Sequence, residues 1–264
     1  MNKMSSHQLN HILNNKILGS SELVKLLNTY LLSIKNNIPK IKKTVSEAKT
    51  KLGHLEAINS YLNELTTYLK GNNKSKLIDF LKRFSVKENE KNESIFNKFY
   101  PNLEKVQSVI TISRSGTVLN ILKLWLQKNK KLRVVVCESR PKFEGRLTAV
   151  ELAGIGVNVE LITDAMLGLY IPKIDAAIIG ADAVLKNGNV VNKVGSKALA
   201  LLCREHKKSF YVVTSKSKLS KKKNFKAKKE KPQEIWDKKV KNLSISNIYF
   251  EEIEKKLITK IFTD

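Results

Sequence analysis

Residues 178–196 read IIGADAVLKNGNVVNKVGS. An apolar run, 176–179, ends in Gly180-Ala181-Asp182. A polar turn with Asn187-Gly188 follows, then Asn192-Lys193, Gly195-Ser196 and an apolar run of helical spacing. A strand that stops at a small residue and a carboxylate, ahead of a helix start, describes the carboxyl edge of an open α/β sheet. Ligands bind such sheets at that edge. The pattern places Asp182 at the crevice, with Asn192 and Lys193 offering an amide and a point charge to a phosphate.

Outward from this stretch, short β-branched runs recur at 106–113, 132–137, 157–162, 175–179 and 210–214. Helical patterns separate them at 117–128, 147–154, 164–170 and 193–206. Strands alternating with helices predict a parallel sheet covered on both faces. Before residue 105 the period is helical. Leu23, Leu26, Leu27, Tyr30, Leu31 and Ile34 share one face, Ser20 or Ser21 can cap the start, and Pro39 is expected to stop the run. A single stripe from Ile41 to Leu69 predicts one long helix, broken by Gly71-Asn72-Asn73. Leu77 to Phe84 predicts another helix, and Phe96, Phe99 and Leu103 one more. Residues 1–17 are polar and helix-tolerant. The expected architecture is α/β: a helical domain over 1–104, then a doubly wound, mainly parallel, Rossmann-like domain over 105–264.

The 264 residues are 42% apolar, enough for a packed core. No apolar run approaches the ~20 residues of a membrane span, and the first residues lack the apolar core of a secretory signal. Cys137 and Cys203 lie in apolar runs and read as buried thiols. A cytoplasmic protein is expected, with no cofactor and no metal. The net charge is +25. Nine lysines and one glutamate lie between Lys216 and Lys231, so only eight of those charges sit there and the rest of the chain is basic too. This segment reads as an exposed, mobile loop. Phe225 is its only aromatic residue, so stacking is lacking and any grip on RNA or another polyanion is expected to be weak and salt-sensitive.

Two further turns carry candidate chemistry. Ser113-Arg114-Ser115-Gly116-Thr117 joins a strand to a helix, where hydroxyls, a close backbone and a helix N-terminus suit a phosphate. Glu138-Ser139-Arg140-Pro141 follows the next strand, and Arg140 offers a rigid fork to a phosphate or carboxylate.

The motif GAD…NG…NK.G[ST], together with ITISRSGTVL (110–119), ESRPKFEGRLTAVELAGIGV (138–157), VELITDAMLG (159–168) and FYVVTSKSKL (210–219), resembles one family in its order. It is the family of the α, β and δ subunits of initiation factor 2B, which also holds methylthioribose-1-phosphate isomerase and archaeal ribose-1,5-bisphosphate isomerase. The likeness covers roughly 106–219. It implies that Asp182 is the catalytic aspartate and that Asn192, Lys193 and Lys218 bind ligand. It implies that Leu18-Gly19-Ser20 stands at an Arg-Gly-Ala type phosphate turn: Leu18 replaces the arginine, while Gly19 and the helix N-terminus at Ser20 remain to bind phosphate through backbone N–H groups. Thr111 to Ser115 match Thr-His-Cys-Asn-Ser/Ala, so Ser113 takes the place of the catalytic cysteine and Ile112 that of the histidine. Glu144 takes the place of a glutamine that contacts sugar hydroxyls. The segment from Val240 to Asp264 resembles the family's terminal strand, turn and threonine-acid end.

Two functions follow from the resemblance. One is a regulatory protein like initiation factor 2B that holds a phosphorylated sugar or nucleotide. The other is an aldose–ketose isomerase acting on a sugar 1-phosphate. In both, the protein is expected to form homo-oligomers. The cysteine-to-serine exchange tells against turnover, because an alcohol needs a strong neighbouring base where a thiol ionises readily.

Overall fold

The computed structural model describes residues 6–71 and 73–264. Residues 1–5 and Asn72, on which parts of the helix-tolerant and helix-break expectations fall, lie outside the described residues.

Helices α1 (Ser6–Asn14), α2 (Ser20–Ser33), α3 (Ile38–Leu52), α4 (Glu56–Lys70) and α5 (Lys74–Phe99) precede the sheet. Strands β1 (Ser108–Ile112), β2 (Arg133–Cys137), β3 (Asn158–Ile162), β4 (Ala176–Ile179), β7 (Ser209–Val213) and β9 (Lys260–Phe262) form it, in the order β3-β2-β1-β4-β7-β9. Every pairing in this sheet is parallel. Helices α6 (Gly116–Lys128), α7 (Glu144–Gly154), the short α8 (Leu167–Tyr170) and α9 (Ser196–Glu205) lie in the crossovers. A small antiparallel sheet of β5 (Ala183–Val184), β6 (Val190–Lys193) and β8 (Phe250–Ile253) stands beside the large one.

Alternation along the strands explains the layers. Val109, Val134, Val136, Ile178 and Val213 point to one face, where α6, α7 and the end of α5 cover them. Ile110, Ile112, Val135, Ala177 and Val212 point to the other, beneath Leu199 and Cys203 of α9. Both cysteines are buried free thiols, and burial pushes each up to about 12. A third core joins α1 to α4 with the first half of α5. Helix α5 thus belongs to two cores: Leu77–Phe84 to the helical one and Ile95–Phe99 to the sheet's.

Four expectations on elements are corrected. The 41–69 stripe is two helices: α3 ends at Leu52 and α4 begins at Glu56. Pro39 does not stop α2, which ends at Ser33; it sits in the first turn of α3, where a missing N–H costs nothing. The two helices expected across 77–103 are one, α5, of 26 residues, because its stripe shifts from one core to the other rather than ending. Lys193 closes strand β6 instead of opening a helix. Among the described residues, no helix is long and apolar enough to cross a membrane.

Candidate ligand-binding site

The strand order reverses between β1 and β4, and a crevice opens at the carboxyl ends of those strands. A cavity of about 410 Å³ fills it. The helical layer closes the far side: residues 13–21 and 51–55 face the turns after β1, β2 and β4.

Two helices of thirteen or more residues aim their N-termini into this space. Helix α2 begins at Ser20 and α6 at Gly116, and both ends line the cavity. The first turns of a helix carry unpaired N–H groups and partial positive charge, so an anion is favoured there. Ser115 caps α6 by accepting from the Val118 N–H at 3.3 Å. Ser20 is buried, and its hydroxyl has no hydrogen-bond partner among the described residues. The two ends are drawn close at Gly19: a Cβ there would sit 2.7 Å from the Arg114 carbonyl oxygen. At the end of β4, a Cβ on Gly180 would sit 2.3 Å from the Ser115 hydroxyl, so only glycine lets that strand end meet the α6 turn.

Ser113 adopts φ of 70°, a left-handed conformation that is uncommon outside glycine and concentrates at functional sites. The surroundings hold it there. Its N–H donates to Ser139 Oγ at 2.7 Å and its carbonyl accepts from Thr148 Oγ1 at 3.1 Å. Its hydroxyl donates to Glu144 Oε1 at 2.9 Å. Lys193 Nζ lies 2.8 Å from the same oxygen, and both Lys193 and Glu144 are about 4–5% exposed. Glu144 Oε2 is buried without a partner among the described residues. The Lys193 ammonium also sits 4.7 Å from the centre of the Tyr249 ring. Asn192 Nδ2 donates to Ser196 Oγ at 2.9 Å.

Asp182 is half-buried on the cavity wall, and its N–H donates to the Val191 carbonyl. Burial pushes its carboxyl above the usual carboxylate range, against the pull of Lys218 and Lys193. Lys218 is buried, and burial draws its ammonium below the ordinary lysine value, against Asp182 and Glu88. Cavity and charges together make a compact alternation: Lys218, Asp182, Lys193, Glu144, Ser113. Its chemistry suits a phosphate at one end, hydrogen bonds from hydroxyl groups at Glu144 and proton exchange at Asp182.

The cavity brings together Gly19, Ser20, Ser113, Arg114, Ser115, Gly116, Glu144, Asp182, Asn192, Lys193 and Lys218. Two expected residues fall elsewhere. Thr117 is buried in α6 outside the lining, and Arg140 is exposed, its guanidinium over the Phe143 ring at 5.1 Å. Asp164 takes the Arg140 N–H instead, fixing the turn after β2. Arg114 lines the cavity, yet its guanidinium is engaged: Nε and Nη2 bind Glu22 at 3.0 and 2.7 Å, and Nη2 binds Glu151 at 2.7 Å. It ties α2 to α7 rather than standing free for a phosphate.

Sequence reasoning missed the outer cavity. Lys16, Lys51, His54, Lys228, Glu230 and Tyr249 line it. Burial, then the Lys228 charge, draws His54 below its usual value. Nor is 216–231 a free loop. Lys218 and Ser220 are buried, Ser220 Oγ donates to Glu56 at 2.9 Å, and Lys186 N–H donates to the Lys222 carbonyl. The run of lysines hid this, since composition does not reveal which member turns inward. Among the described residues, no group of three His, Cys, Asp or Glu side chains is placed to hold a metal.

Residues 11–264 match the model of the initiation factor 2 subunit family. A translation initiation factor eIF-2B subunit 2-like protein of Pyrococcus horikoshii is 39% identical over 139 residues, 53% of this chain and 49% of that one. Methylthioribose-1-phosphate isomerase 1 of Pseudothermotoga lettingae is 45% identical over 105 residues, 39% of this chain and 30% of that one. The matched stretches thus span about half or less of these curated relatives. The crystal structure of the Pyrococcus horikoshii translation initiation factor eIF-2B superposes with a TM-score of 0.81 at 25% identity, covering 97% of this chain and 94% of that one.

Proposed function

The chain belongs to the initiation factor 2 subunit family, and from that premise we propose that its cavity binds a phosphorylated sugar or a nucleotide without efficient turnover, as a regulatory protein connected with translation initiation. One observation carries the reading. The Ser113 hydroxyl, at the position where the family's isomerases place a cysteine, only donates a hydrogen bond to Glu144, and Glu144 is ion-paired with Lys193. A carboxylate so paired is a weak base toward an alcohol, and an alcohol without a strong base is a poor nucleophile or acid–base group. The binding elements, by contrast, are in place. Two helix N-termini, Ser20, Ser115 and Lys218 suit a phosphate, and Glu144 Oε2 offers a buried acceptor to a sugar hydroxyl. The same reading takes the protein to be cytoplasmic and self-associating.

The Asp182 carboxyl favours a second reading, that of an isomerase for a sugar 1-phosphate. Its raised pKa beside Lys218 suits proton exchange between adjacent carbons during ring opening and aldose–ketose conversion.

Thermal denaturation with ribose phosphates, AMP and sugar 1-phosphates tests binding, since a ligand raises stability with its excess over Kd. A rise in Tm with at least one of them is expected. No rise with any sinks the pocket. Product analysis with ribose 1,5-bisphosphate and methylthioribose 1-phosphate separates the two readings: no product is expected, and robust turnover would make the isomerase reading correct.

A further inference from the structure

Apart from one 3-10 turn at Pro232–Glu234, residues 219–243 run as coil outside the parallel sheet, and the structure fixes where that coil goes. Ser220 N–H donates to the Val184 carbonyl at 2.8 Å and Glu230 N–H to the Asn247 carbonyl at 2.9 Å. Glu234 is bound by Lys142 at 2.7 Å, and Trp236 N–H closes a turn on the Pro232 carbonyl at 3.2 Å. Along its sequence this anchored coil carries a series of exposed ammonium groups. Lys226, Lys229 and Lys231 precede Trp236; Lys238, Lys239 and Lys241 follow it. None of the six has an ion-pair partner among the described residues. Between them Trp236 is 47% exposed, and its ring meets no other aromatic ring among the described residues.

We propose that this face binds single-stranded RNA, with Trp236 as a stacking platform for one base and the flanking lysines on the phosphates. Repeated positive charge at short spacing matches repeated phosphate charge, and binding releases counterions. An exposed indole adds the sequence-tolerant base contact that lysines alone lack. Because the coil is tied down, ordering it on binding costs little. A lipid surface fits less well: the segment is open coil, whose unpaired backbone groups are costly in an acyl layer, whereas interfacial elements are helices. Lys228 and Glu230 of the same coil line the cavity, but Trp236 and the six lysines do not, so failure of this proposal would leave the metabolite reading untouched.

The chain has two tryptophans, and Trp125 is 1% exposed, so quenching of emission by a base reports on Trp236. The experiment is a fluorescence titration of the full chain with a twelve-nucleotide oligouridine at two salt concentrations. Quenching is expected, with binding that weakens steeply with salt. Trp236→Ala lacks the reporting indole and is followed instead by the anisotropy of a dye-labelled oligouridine; it should bind roughly tenfold more weakly with the salt slope intact. Replacing Lys238, Lys239 and Lys241 together by Gln should flatten the slope. Heparin should bind without quenching. Absence of quenching by oligouridine, or affinity unchanged in Trp236→Ala, overturns the proposal. Quenching by anionic vesicles but not by RNA, or a change of oligomeric state in Trp236→Ala without loss of an RNA signal, overturns it in favour of a membrane or a second copy.

Discussion

At the scale of the residue, the pair Glu144–Lys193 decides what the site can be. Both side chains are almost fully buried, and their attraction must offset the loss of two hydration shells. The partners are not equally provided for. Lys193 feels Asp182 as well as Glu144 and rests over the Tyr249 ring. Among the described residues Glu144 has only Lys193 for its charge, beside the neutral hydroxyl of Ser113. Lys193→Met should therefore cost about 3–5 kcal/mol by leaving a buried carboxylate unpaired. Glu144→Gln should cost clearly less, since the ammonium keeps a carboxylate nearby. Chemical denaturation of the two variants checks the order, and equal losses would show that the pair is not asymmetric. The sequence pattern alone pointed to Asp182, Asn192, Lys193 and the 113–117 turn, which follow or close strands, whereas Gly19, Ser20, Glu144 and Lys218 were named through the family resemblance. What was not legible is their pairing. Arg114 reads as a phosphate ligand until Glu22, 92 positions away, is seen to occupy it. Such a partner lies beyond any spacing rule.

At the scale of the element, the meeting of α2 with the turn after β1 is where the proposed phosphate would sit. Gly19 has an ordinary φ of −65°, so alanine there meets no backbone penalty; the obstacle is the Arg114 carbonyl at 2.7 Å. Gly19→Ala should push the two helix N-termini apart, at a cost of about 1–3 kcal/mol as overpacking does. At about 2–4 °C per kcal/mol, Tm should fall by several degrees. Any rise in Tm given by a phosphorylated ligand should shrink as well, because the donors no longer converge. An unchanged ligand response with a lowered Tm would separate α2 from the phosphate site. The five strands found by pattern all stand in the sheet; β1, β2, β4 and β7 are buried on both faces and read as short, nearly continuous apolar runs, whereas β3 lies at the edge and is partly exposed. Two of the misread elements are those where the chain changes partner without changing period. Helix α5 passes from one core to the other and keeps its stripe. The break between α3 and α4 at 53–55 preserves the same apolar spacing, so the stripe showed no gap.

At the scale of the whole molecule, Glu234 joins parts distant in sequence. Its carboxylate binds Lys142 of the turn before α7 at 2.7 Å, Asn247 at 3.0 Å and the Tyr249 hydroxyl, and lies 3.9 Å from Lys16 of the helical layer. Burial alone would raise its pKa, but the hydrogen bonds from Lys142, Tyr249 and Asn247 and the Lys142 charge outweigh that and hold it at about 2. The folded value thus lies below the unfolded one of 4.5. The stabilisation is therefore present above the unfolded value and is lost as pH falls from about 4.5 toward 2. Glu234→Gln keeps an acceptor but not the charge, so near neutral pH it should be less stable by roughly 1 kcal/mol, the difference between a charged and a neutral hydrogen bond. The gap between parent and variant should close on acidification, because the parent becomes uncharged at this position too. Thermal unfolding of both proteins at a series of pH values from neutral to strongly acidic reads it directly. A gap that stayed constant through that range would mean that Glu234 acts by packing alone, and that the charge does not join the helical layer to the sheet.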